Sequence, residues 1–112
     1  MKFYISLPDP KLAVSAQSAF SFSANGVEEF TTQLQRALSD PTYIQSWFNH
    51  LDPDDAENVS PDLLEIDSTA KVTGEQHDLS FSFVVNTQLN GTAFKHRMRL
   101  LAGSNWQLTD VK

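Results

Sequence analysis

The residues whose types and spacing could do chemistry fall into three sets: the histidines His50, His77 and His96, the carboxylates crowded into residues 52 to 62, and the alternating bases Lys95, Arg97 and Arg99. A histidine works as a general base or metal ligand when a second group orients its ring, and none of the three has an acid or ligand partner at a recognisable spacing. His50 falls near the expected end of a helix, where its cation suits the dipole. His77 opens an expected strand beside Asp78. His96 is the odd one, because alternation places it on an apolar face. It reads as a core histidine, or as the polar group of a ligand cavity walled by Trp47, Phe83 and Met98.

The carboxylates Asp52, Asp54, Asp55, Glu57 and Asp62 invite a calcium reading, since hard cations collect oxygen ligands. The spacing fails it. An EF-hand loop begun at Asp52 would need glycine at Glu57 and a bidentate glutamate at Leu63. The stretch reads instead as a solvated connector able to dock a basic partner, and no metal or cofactor is expected. On a strand, Lys95, Arg97 and Arg99 would form a cationic row with ~7 Å between successive charges, fit for an acidic peptide, a phosphate or the chain's own acidic stretch.

Covalent catalysis finds little footing. There is no Gly-x-Ser-x-Gly elbow, no phosphate-cradling glycine loop and no cysteine. The glycines at 26, 74, 91 and 103 suit one helix start and three turns. The absence of cysteine also removes disulfides, thiolate zinc and iron–sulfur sites, and suits a reducing compartment. The reading leans away from an enzyme.

The chain has 112 residues, 40% hydrophobic and 20% charged, which suits a single domain over residues 1–112. Its net charge of −6 is unevenly spread: residues 37 to 70 hold eight acids and no Lys or Arg. Residues 1 to 36 are neutral, and residues 71 to 112 sum to +2. Such a balance disfavours nucleic acid and anionic membrane surfaces and leaves room for a basic protein partner. The apolar start Phe3 to Leu7 is cut by Pro8, too short for a signal peptide. No apolar run approaches the ~20 residues of a membrane span, so the expected location is cytoplasmic.

Phe3, Ile5 and Leu7 alternate with polar neighbours, a half-buried strand stopped by Pro8. A second strand is expected over 18–24. Asn25 with Glu28 three residues on signals a helix start, and Val27, Phe30, Leu34, Ala37 and Leu38 follow at helical spacing to about Ser39. Asp40 and Pro41 then cap a second helix bearing Ile44, Trp47, Phe48 and Leu51, which Pro53 ends. From Leu63 the period becomes two. Turns at Gly74-Glu75 and Asn90-Gly91 would pair Lys71 with Asp78, Ile66 with Phe83, Phe83 with Met98 and Val85 with His96. A last strand over about 105–111 should bury Trp106 and Leu108. Tyr4, Tyr43, Val84 and Leu101 should face outward.

The fold expected is α+β: two N-terminal strands, two amphipathic helices, then a four-stranded antiparallel meander with the helices packed on one face. At the level of fold alone, this order resembles the curved sheets of cystatin-like and NTF2-like proteins, and fold does not carry function. The expected function is a small acidic protein-interaction module of adaptor, inhibitor or antidote type, monomeric or homodimeric, using Asp52, Asp54, Asp55, Glu57, Lys95, Arg97 and Arg99. The alternative is the ligand-binding or catalytic cavity at His96.

Overall fold

The computed structural model describes residues 1–14 and 20–112. In chain order it contains β1 (Lys2–Leu7), α1 (Pro10–Val14), α2 (Val27–Ser39), α3 (Pro41–Asn49), α4 (Pro53–Glu57), a 3₁₀ turn (Pro61–Leu64), β2 (Lys71–His77), β3 (Ser80–Asn86), α5 (Gly91–Ala102) and β4 (Gln107–Val111). The four strands form one antiparallel sheet in the order β2-β3-β1-β4. It is therefore α+β, but the sheet is no meander. Both connections into it are split: helices separate β1 from β2, with β3 lying between them, and α5 separates β3 from β4, with β1 lying between those. The helix inserted between β3 and β4 departs from the helix-then-meander order on which the fold-level resemblance rests.

Alternation builds the sheet. Phe3, Ile5 and Leu7 of β1 face Val85, Phe83 and Phe81 of β3, all buried. Val72 of β2 joins them opposite Val85. Above this face lie Phe30, Leu34, Ala37 and Leu38 of α2, and Phe94, Met98, Leu101 and Ala102 of α5. The rings of Phe3 and Phe94 stack at 4.1 Å between centroids, and Phe30 meets Phe81 edge-on at 5.1 Å. The opposite face, with Lys2, Tyr4, Ser6, Ser82 and Val84, carries no helix among the described residues.

The two expected helices are present, with a small shift at the first. Gly26, at φ 83°, is the N-cap of α2, and the Asn25 amide donates to the Glu29 carboxylate at 2.9 Å. The helix thus starts one residue later than Asn25, with Gly26 as a cap that lends no side chain. Asp40 closes α2 and starts α3, its Oδ1 accepting from the Thr42 amide at 2.9 Å ahead of Pro41.

Three expectations fail for local reasons. Asn90-Gly91 is a helix start rather than a hairpin: the Asn90 side chain accepts from the Ala93 amide at 2.8 Å, capping α5. The strand expected from Leu63 is replaced by the 3₁₀ turn and a bend, and β2 begins only at Lys71. Gly74 lies within β2 opposite Phe83, because a Cβ there would collide with Thr31 Oγ1 of α2 and lie 2.9 Å from the Phe83 ring. The β2–β3 reversal falls at Asp78-Leu79, with Asp78 at φ 54° and His77 paired to Ser80. Ile66 and Lys71 consequently do not pair with Phe83 and Asp78.

Of the strand expected over 18–24, residues 18 and 19 lie outside the described residues. Residues 20–24 are not strand: the Phe22 amide donates to the Leu101 carbonyl at 2.8 Å, and Phe22 packs on Phe30. Leu101, expected outside, is fully buried. Trp106 and Leu108 pack partly buried against the core as expected.

Candidate functional site

The acidic segment is two short turns rather than an extended loop. Pro53 starts α4 and Pro61 starts the 3₁₀ turn, each proline supplying the fixed φ of a first helical position. Asp52, Asp54, Asp55, Glu57, Asp62 and Glu65 are all exposed. Among the described residues the ion pairs are His77 with Glu75 and Lys112 with Asp110, so no base neutralises these six.

Two buried charges fix this segment to the body. Arg97 has no exposed surface; its Nη1 donates to the Ala37 carbonyl at 2.5 Å, and its Nη2 to those of Glu65 at 2.6 Å and Leu63 at 3.3 Å. One guanidinium thereby ties α5 to the end of α2 and to the 3₁₀ turn, using the fork geometry that a lysine lacks. Burial lowers its pKa to about 10, against a smaller opposing effect of Tyr43. Burial pushes the Tyr43 hydroxyl up in turn, and that hydroxyl donates to the Phe20 carbonyl at 2.5 Å.

Asp67 is the second tie and is 7% exposed. Its Oδ1 accepts from the Thr69 amide at 2.9 Å and hydroxyl at 2.6 Å; its Oδ2 accepts from the Thr87 hydroxyl at 2.9 Å and the Gln88 amide at 2.7 Å. Burial alone would raise its pKa, but these bonds to the charged form outweigh it and bring the value down to about 2. The Asp67 amide also donates to the Leu38 carbonyl at 2.9 Å. Asn90 Nδ2 donates to Asp62 at 3.4 Å, a weak third link.

The expected cationic row is not formed. On a helix, Lys95 and Arg99 are one turn apart and exposed, while Arg97 points the other way into the core. The four residues of the expected cavity divide between a ring contact and the buried core. Trp47 meets the His96 ring edge-on at 4.5 Å, but Met98 is fully buried and Phe83 lies in the sheet core. A surface depression of about 630 Å³ lies elsewhere, floored by Phe30 and Phe81 and rimmed by Val14 and by Leu79, which is 84% exposed. His96 is half-buried, its Nδ1 enclosed without a hydrogen-bond partner among the described residues. Burial, then Arg97 and Arg99, lower its pKa.

The fold also joins a serine, a histidine and an acid that the misplaced Gly74 turn had kept apart. Glu75 pairs across the strands with Ser82; His77 Nε2 lies 3.0 Å from Ser82 Oγ and 3.5 Å from Glu75. Both partners meet the same ring nitrogen, so the acid does not hold Nδ1 as a relay requires. Moving the reversal to Asp78-Leu79 would have revealed this cluster. The roles of Arg97 and Asp67 left no such signal, since only the fold shows that each is buried.

No helix among the described residues is long and apolar enough to cross a membrane, and no group of three or more His, Asp or Glu among them is placed to hold a metal ion. No known protein family, curated protein or solved structure matches the chain.

Proposed function

We propose that this is a protein-binding module whose acidic segment docks on a basic surface of a partner protein. The observation that carries the reading is the combination of six exposed carboxylates, unneutralised by any base among the described residues, with two buried anchors, Arg97 and Asp67, that hold the C-terminal end of their segment. Anchoring reduces the conformational entropy lost when a partner binds, and clustered like charge steers an oppositely charged partner. Trp47 and Phe48, half-buried in the last turn of α3, stand a few residues from Asp52 and supply the aromatic anchors that a purely polar surface would lack.

The test is a pull-down with the intact protein at about 50 mM and about 500 mM salt, between which the Debye length falls from about 14 Å to about 4 Å. A partner held at low salt and released at high salt, and lost when Asp52, Asp54 and Asp55 become Asn, supports the reading. Binding indifferent to both changes refutes it.

A further inference from the structure

The uncovered face of the sheet carries the opposite charge at one end. Lys71 of β2 and Lys2 of β1 both pair with Asn86, from its two sides, and Lys112 exchanges two main-chain hydrogen bonds with Lys2, at 2.6 and 2.8 Å. The three lysines therefore lie in one row across the strands, Lys2 and Lys112 about 5 Å apart and Lys71 about 10 Å from Lys2 at backbone level. All are exposed. Alternation puts Lys2 and Lys71 on the face away from the core, since Phe3 and Val72 face inward. Lys112 joins them, its Nζ 5.2 Å from the centre of the Tyr4 ring. One carboxylate, Asp110, reaches this row, 3.8 Å from Lys112.

The acidic segment is tied to the same end of the sheet. Asp67 holds Thr87 and Gln88, which directly follow β3, and Asp62 accepts from Asn90. The basic row on the bare face and the acidic segment on the helical side thus share one end of the molecule, and an end carrying both signs is complementary to its own copy turned through a two-fold axis.

We propose that two copies pair end to end in this way, the Lys2–Lys71–Lys112 row of each meeting the acidic segment of the other. The proposal rests on the acidic segment being a docking surface and names a second copy as one of its occupants. Such pairing is weak and salt-sensitive, because its charges stay near solvent. It would also hide the acidic segment until a more basic partner displaces the second copy.

Sedimentation velocity of the intact chain tests it with no outside partner. At about 50 mM salt the mass should rise with concentration toward twice 12.5 kDa, and at about 500 mM it should return to the monomer. The reversals Lys2→Glu with Lys71→Glu, and Asp54→Lys with Asp55→Lys, should each give monomers with unchanged circular dichroism. Mixed in equal amounts, the two variants should restore the dimer, since the glutamates introduced at positions 2 and 71 of one then face the lysines introduced at positions 54 and 55 of the other, while the wild-type patches meet at the second contact. A wild-type chain monomeric at low salt up to its solubility limit overturns the proposal, as does a mixture of folded variants that stays monomeric. Neither result touches the salt-sensitive pull-down, so the two readings fail separately.

Discussion

Asp67 and Arg97 carry opposite charges and do the same work, each holding main-chain groups at the ends of elements and in the connections between them. Replacing Asp67 with Ala would leave the Thr87 hydroxyl and the Gln88 amide without their acceptor, at a cost on the order of 2–3 kcal/mol. Urea unfolding should show this as a lower midpoint at an unchanged slope. The carboxylate also sets a pH dependence. Its folded pKa of about 2 lies below the ordinary value of 3.8, so its contribution is complete above pH 3.8 and lost as pH falls toward 2. The wild type should therefore lose stability across that window, and an Asp67→Asn variant should lose less; parallel acid curves would refute the assignment. His96 acts at higher pH. Its pKa is held below 6.5, so the unfolded chain takes up the proton first and stability declines as pH drops beneath 6.5. His96→Gln should flatten that part of the profile.

At the scale of elements, α5 settles the architecture. Asn90→Ala should cost about 1 kcal/mol by removing the cap, while Asn90→Ser should be nearly neutral, an ordering that thermal melts can check. Gly74→Ala should destabilise as well, because α2 lies too close to β2 for a methyl group. These two positions also show how far the sequence can be read. β1, α2 and α3 were legible because their apolar spacing is unbroken, and α3 is also capped where its sequence places the cap. Helix α5 was not, because Arg97 stands in the middle of its buried stripe of Ala93, Phe94, Met98, Leu101 and Ala102, and the remaining residues alternate by accident. Asn-Gly suits a hairpin turn and a helix cap alike, so the turn signal did not decide between them. The residues Ala, Lys, Arg, Met and Leu favour helix and were the better guide. The acidic stretch was legible as surface, whereas its anchors depend on contacts between residues 20 or more positions apart in the chain.

For the molecule as a whole, the charge pattern matters less as a total than as an arrangement: carboxylates over the helical side, lysines along one end of the bare sheet face, and a buried charge of each sign pinning the acidic segment. The sheet's two edges differ in a way that reaches beyond binding. On the β2 side, the Val72 amide donates to the Gln35 side chain of α2 at 3.1 Å, and Thr31 presses against Gly74. That border is closed to an incoming strand. On the other side β4 is mostly exposed, and no such helix cover lies along it among the described residues. Strand exchange or fibril growth under destabilising conditions should therefore begin at residues 107–111, and a proline placed at Thr109, where the pairing with β1 is already irregular, should suppress it.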